Sequence, residues 1–411
     1  MDNTTLKGKV MCGYQGWFAA PGDGSGRGWV HYNGPKGVFK PGVCSIDIWP
    51  DMGEMEKDEK YPTPFKHKDG STAHVFSSYN PKTVMRHFAW MKEAGIDGVF
   101  LQRFGASVRG SKVLNHRNVV TRNVQAGANR YGRTWAMMYD LSGLRKGEIE
   151  SVVIEDWKQL IDRGRITEDK SYLHHNDKPV VAVWGIGFGD DRKYTLEECE
   201  KLVDFLKDDK RYGNNTVMLG VPFYWRTLAQ DSSKNPLLHT IIKKADIVSP
   251  WSVGRYRSPE DVARQVTNTV RPDVHWTKEN DLEYLPVIFP GFSWQNLRRT
   301  QGLNKPLAEI PRLKGQFLWS QATGWREAGA EMLYVAMFDE VDEGTAIFKC
   351  SNDPPVGESK FITYEGLPAD HYLWLVGKAG ELLRGKIVTT ESMPKRKAQQ
   401  GAAPNGAPHR E

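Results

Sequence analysis

Met332-Leu333-Tyr334-Val335-Ala336-Met337-Phe338 runs directly into Asp339-Glu340-Val341-Asp342-Glu343-Gly344-Thr345. The first seven residues are apolar on both faces of an extended chain, as a strand buried on both sides must be. The next five hold four carboxylates. Like charges repel and raise one another's pKa, so a strand ending in crowded acids is a poor device for stability. It suits chemistry that needs a carboxylic acid beside a carboxylate. A solvated acidic turn is the plain alternative.

Seven similar runs precede it, at 10–18, 98–104, 134–141, 179–188, 217–225, 247–253 and 285–292. Helical patterns lie between them. Residues 81–94 carry Val84, Phe88 and Met91 at helical spacing and stop before Gly95; 150–163 repeats the pattern with Val153, Trp157, Leu160 and Ile161. Thr195 with Glu198 makes a capping box, and Ser258-Pro259-Glu260 opens 261–270 with proline at the first helical position. Eight strand–helix units predict a single (β/α)₈ TIM barrel over residues 8–385. A doubly wound open sheet is the alternative, but the number of units and the lack of a nucleotide fingerprint favour closure. The tail from 386 to 411, rich in Lys, Gln, Gly, Ala and Pro from Ser392, reads as disordered. The first connection, 19–81, is too long for an ordinary loop and should form a lid or a wall of the site.

Composition narrows the function. Hydrophobic residues make up 39% of the 411, enough for a large core, and no apolar run approaches a membrane span. Net charge is +6, without a dense basic stripe or a recognition motif, so no nucleic-acid partner is expected. The charges at 109–133 read as the wet face of an amphipathic helix. Cys12, Cys44, Cys199 and Cys350 are widely spaced and form no CxxC pair, which excludes a zinc ribbon or a disulfide scaffold. The N-terminus lacks the apolar region of a leader, which leaves the compartment open.

A barrel of this type keeps its site at the C-terminal ends of the strands. Those ends carry Tyr14 and Trp17; Gln102 and Arg103; Tyr139 and Asp140; Trp184; Tyr224 and Trp225; Trp251; Trp294; and the acidic run. Aromatic planes stack on the C–H faces of sugars, and the polar groups suit their hydroxyls, so a carbohydrate cleft is expected. Trp29, His31 and Asp47 of the long loop join the expected substrate contacts. Arg103, Arg226 and Arg255 either form a positive rim suited to an acidic or sulfated glycan or pair with Asp or Glu. His31, His67 and His74 share the loop with Asp47 and Asp51, but without the fixed spacing of a metal site; ordinary surface or sugar-contacting histidines are the favoured reading.

The acidic run resembles the Asn-Glu-Trp-His-Glu-Gly-Thr signature of glycoside hydrolase family 99, the endo-α-mannosidases and endo-α-mannanases. Gly13-Tyr14-Gln15-Gly16-Trp17-Phe18 resembles that family's first-strand Tyr-x-x-Trp-Tyr element, and Ala94-Gly95-Ile96-Asp97-Gly98-Val99-Phe100 its second-strand entry. The likeness spans 8–350 and is nearest to the broad family 71/99-like group, whose members are often labelled xylosidase or arabinosidase. It implies a glycosidase with no cofactor, periplasmic or secreted if a leader was removed. It makes Glu340 the base that deprotonates the sugar 2-hydroxyl, and Glu343 the acid that protonates the leaving oxygen, with retention.

Val341-Asp342 replaces the family's Trp-His. On a continuous strand Glu340 and Asp342 would share a face, with Glu343 opposite. Glu343 joins Glu340 only if the strand breaks, which Gly344 permits; otherwise the pair is Glu340 and Asp342. Two rivals stand beside the hydrolase: a non-catalytic carbohydrate-binding barrel, and a metal-assisted hydrolase using the histidine-bearing loop.

Overall fold

The computed structural model describes residues 2–388, 390 and 392–396. Parallel strands β1 (Val10–Tyr14), β2 (Gly98–Phe104), β3 (Thr134–Asp140), β4 (Lys178–Trp184), β5 (Thr216–Pro222) and β6 (Ile247–Trp251) pair in sequence order. The seventh strand is split. Glu283–Tyr284 pairs with β6, whereas Val287–Ile288 (β7) pairs with β8 (Leu333–Val335), which returns to β1. Tyr334 N–H donates to Pro286 O and Leu285 N–H to Val248 O, so this one segment bridges β6 and β8. The curled parallel sheet is a TIM-like barrel, as expected.

Helices pack outside it: α1 (Pro81–Ala94), α2 (Ser111–Tyr131), α3 (Glu155–Asp162), α4 (Leu196–Asp208), α5 (Leu237–Lys244), the bent α6 (259–279), α7 (Gln316–Glu327) and α8 (His371–Leu383). Their ends follow the local chemistry. Asn80 caps α1 before Pro81, and Gly95 closes it in the left-handed region. Thr195 and Glu198 form the expected capping box, and Ser258 caps α6. No helix among the described residues is long and apolar enough to cross a membrane, and the four cysteines are free and buried.

Inside and outside alternate along each strand. Gly13, Phe100, Gln102 and Tyr334 point inward: Phe100 packs on Tyr334, Gln102 Nε2 donates to Tyr334 Oη at 2.9 Å, and a methyl at Gly13 would collide with the Tyr334 hydroxyl. Their neighbours Tyr14, Arg103 and Tyr139 point out to the helices.

The long first connection is a wall with its own core. It holds an antiparallel hairpin, Tyr61–Lys66 with Thr72–Val75. Tyr32, Phe39, Trp49, Phe65 and Phe76 pack together in its interior, with Trp29 on Phe39. Beyond α8 the chain still touches the helix layer: Trp319 Nε1 of α7 donates to Thr390 O, and Arg396 pairs with Asp370 at the start of α8 at 2.6 Å. The part of the expected tail from 397 to 411 lies outside the described residues.

Candidate active site

β8 stops at Val335, so the acids sit on no strand. Residues 341–344 form a turn, and Gly344 has φ +59°, a conformation glycine adopts without a Cβ clash. Ala346 N–H closes the turn on Glu340 O at 2.9 Å, Ser293 N–H holds Glu343 O, and Asp47 N–H holds Val341 O. Buried Arg312 donates to Gly344 O and Ala346 O at 2.8 and 2.7 Å while lying over Tyr364 and Tyr372. The strand alternation that would have paired Glu340 with Asp342 therefore does not apply.

Each acid has a different environment. Asp339 is fully buried and accepts from Gln15 N–H at 2.7 Å and Gly16 N–H at 2.9 Å, which ties the end of β1 to the turn. Burial still outweighs these bonds and lifts its carboxyl to about 7. Glu340 accepts at one oxygen from Gln15 Nε2 (2.9 Å) and at the other from Thr345 Oγ1 (2.8 Å). Burial, then the charges of Glu343 and Asp342, push it upward. Glu343 is half-buried and its carboxylate makes no hydrogen bond among the described residues. Burial and Asp342 raise it to about 7, against a smaller pull from Arg298. Asp342 shares a 3.0 Å hydrogen bond with His31 Nδ1 and is raised to about 7 by burial. Its other oxygen is buried without a partner.

Glu340, Asp342 and Glu343 thus share one electrostatic neighbourhood, and all three carboxyls are raised above the ordinary carboxylate range. Burial alone favours the proton on Glu340. The two donors aimed at its two oxygens favour its carboxylate, and Glu343 has no donor to stabilise a charge.

The mouth around the turn is aromatic and polar. His31 stacks on Trp17 with centroids 3.7 Å apart, and Trp17 meets Phe104. Trp184, Trp251 and Tyr334 form a chain of ring contacts at 5.5 and 6.3 Å. Asp140, raised to about 6 by burial, lies opposite Phe104 on the neighbouring strand, and its charge is felt at the Tyr334 hydroxyl. Trp294 donates to Glu309 and carries Arg298 on its face at 3.6 Å.

Other expected contacts lie elsewhere. Tyr14 is buried against α1, hydrogen-bonded to His87 Nδ1 at 2.8 Å. Arg103 donates twice to Asp156 at 2.6 Å, and Tyr139 donates to the same carboxylate, all three between sheet and helices. The groove there, about 360 Å³ between α2 and α3, opens outside the barrel. Trp225 is buried against His239 and Trp276, and half-buried Tyr224 packs on Phe223. Trp29 belongs to the core of the loop. Asp47, fully buried, accepts from Ser293 Oγ and from the amides of Gln295 and Asn296. Arg226 and Arg255 pair with Asp273 and Asp231, as Arg103 does with Asp156, so of the two readings of these arginines pairing holds rather than a positive rim. His67 binds Asp353 O, and no group of three or more His, Cys, Asp or Glu among the described residues converges as a cation site. Gln15, Thr345 and Tyr334 were not singled out as site residues in the sequence. Gln15 and Thr345 flank the quoted motifs, but their convergence on Glu340 spans 325 positions in the chain for Gln15.

No family model matches this chain, and no curated protein does. Two structures of a GH99 endo-alpha-mannosidase from Bacteroides thetaiotaomicron share its fold. The first has 15% sequence identity and a TM-score of 0.62. The second, in complex with bis-tris-propane, has 14% and 0.61. Each comparison covers 93% of this chain and 99% of the other.

Proposed function

We propose that this protein is a family 99-like glycoside hydrolase that cleaves an oligo- or polysaccharide with retention, using Glu340 and Glu343. The observation that carries the reading is the turn at the mouth of the barrel, where β8 ends early and the two glutamates share one charge environment with different hydrogen-bond partners. The shared fold, and the aromatic mouth with Asp140, Gln102 and Tyr334, support a sugar as the substrate.

The chemistry is the one the family 99 resemblance implies, with the proton assigned to Glu343 because its carboxyl has no donor to stabilise a charge. Glu340, ionised, takes the proton of the sugar 2-hydroxyl as O2 attacks C1. The bond from C1 to the leaving oxygen breaks while Glu343 gives that oxygen its proton. Water then gives a proton to the Glu343 carboxylate as it attacks C1 from the vacated face. The C1–O2 bond opens, and O2 recovers its proton from Glu340. Two displacements at C1 give net retention. The test is the anomeric configuration of the first product, read by proton NMR before mutarotation. The retained anomer is expected, an inverted one would overturn the mechanism, and no hydrolysis of any α- or β-linked glycan would overturn the function.

A further inference from the structure

The buried arginines of this chain mostly have evident partners. Arg103 is paired with Asp156, and Arg312 has two carbonyls and two rings. Arg103 Nη1 and Arg312 Nε and Nη1 are also buried without a partner, but each of those side chains makes two or more hydrogen bonds elsewhere on its guanidinium. Arg117, 5% exposed, makes one, Nη1 to Gln15 O at 2.8 Å, and its Nε is buried without a partner. Buried donors are normally satisfied, and an uncompensated buried charge is costly. The guanidinium of Arg27, half-buried on the long loop, makes no hydrogen bond among the described residues, and its Nη1 is also buried and unpartnered.

These groups converge. Arg117 holds Gln15 O while His116 Nε2 contacts the adjacent Gly16 O at 3.3 Å. Burial, then the positive field of Arg27, pushes Arg117 down to about 9, and the same field is felt at His116. A methyl at Gly26 would lie 3.8 Å from Lys112 Nζ, which brings a third cation to the edge. Lys112 sits in the first turn of α2, which carries no acidic residue and no side-chain cap, the reverse of what a helix dipole favours. The neighbouring carboxylates are engaged elsewhere. Asp339 takes two amides, Asp140 the Ser142 amide, and Asp23 the Ala20 and Ser25 amides with the Ser77 hydroxyl. None forms a salt bridge to Arg27 or Arg117, although the charges of Asp339 and Asp140 are felt at Arg117 and that of Asp23 at Arg27.

The corner adjoins the mouth. Arg117 lies 5.7 Å over the Phe104 ring, which meets Trp17, and Trp17 carries His31. Gln15, whose carbonyl Arg117 holds, donates to Glu340. We propose that Arg27 and Arg117, with Lys112 at the edge, form a subsite for an anionic substituent of the glycan, a carboxylate or a sulfate ester. Its place in a glycan cleft rests on the glycosidase reading above; its affinity for an anion does not. Arginine suits this task because its planar fork matches both groups.

The test is calorimetric titration of the whole chain with sodium glucuronate, sodium sulfate and glucose, at ionic strength fixed with sodium chloride. Saturable binding of glucuronate or sulfate but not glucose is expected, weakened roughly tenfold in Arg27→Gln and several-fold in Lys112→Gln. Both side chains are at the surface or half-buried, so these variants carry the result; Arg117→Gln is added once circular dichroism shows it folded. A stronger response to glucuronate identifies a uronic acid as the source, and a stronger response to sulfate identifies a sulfate ester. No binding by wild type, or equal binding by wild type and both variants, would overturn the proposal. Because binding is read without turnover, a failure of the glycosidase reading appears separately, as absent hydrolysis with the titration intact.

Discussion

Glu343 as the acid must hold its proton, so kcat/KM should fall as pH rises through about 7, where burial and Asp342 have lifted its carboxyl. Glu340 as the base must be ionised, which gives the acid limb. Asp342→Asn removes a negative neighbour from Glu343, so the alkaline limb should move to lower pH. A pH–rate profile of both proteins checks this, and an unmoved limb would remove Glu343 from the acid's role. Strand ends could be found in the sequence, but not which side chains at those ends face the barrel. A strand buried on both faces carries no period-two signal to set its phase. Gln102 therefore reaches Tyr334, as does the charge of Asp140, while Arg103 and Tyr139, one residue away on the same strands, hold Asp156 among the helices. Tyr14 was misplaced for the same reason, and Trp225 follows its strand into the helix layer.

At the scale of elements, the turn after β8 is positioned by groups distant in sequence. Asp47 belongs to the long loop, yet it gathers Ser293 and the amides that open the helix Gln295–Thr300, while its own amide holds Val341 O. It caps that helix from another part of the chain. Asp47→Ala leaves the buried Asn296 amide, the half-buried Gln295 amide and the Ser293 hydroxyl without their acceptor, and should cost about 2–4 kcal/mol of stability. Denaturant unfolding with an unchanged m-value measures it. Unchanged stability with a raised KM would instead return Asp47 to the cleft. The bounds of α1 and the capping box of α4 were legible because their signals are local. The clamp by Asp47 and the amide anchor at Asp339 were not, because each joins segments hundreds of residues apart. The turn itself was half legible: Gly344 permitted it, but the early stop of β8 at Val335 decided it.

At the scale of the molecule, eight apolar runs separated by amphipathic stretches sufficed to predict a barrel, because parallel strands in a closed sheet must be buried on both faces. Closure through the split segment 283–288 was not legible: the seventh run reads from 285 to 292, yet Glu283–Tyr284 just before it pairs with β6 and Val287–Ile288 within it pairs with β8. The barrel brings Glu340, Glu343, Asp140 and the aromatic rings to one mouth, and the long first connection walls it with a packed core of its own. The central claim is that this mouth hydrolyses glycosidic bonds through Glu340 and Glu343. The most direct test is turnover of a panel of polysaccharides and aryl glycosides by wild type, Glu340→Gln and Glu343→Gln, each checked for folding. The account predicts turnover by wild type and a loss of about two to four orders of magnitude in either variant on an unactivated glycan. Full activity in both variants would contradict it.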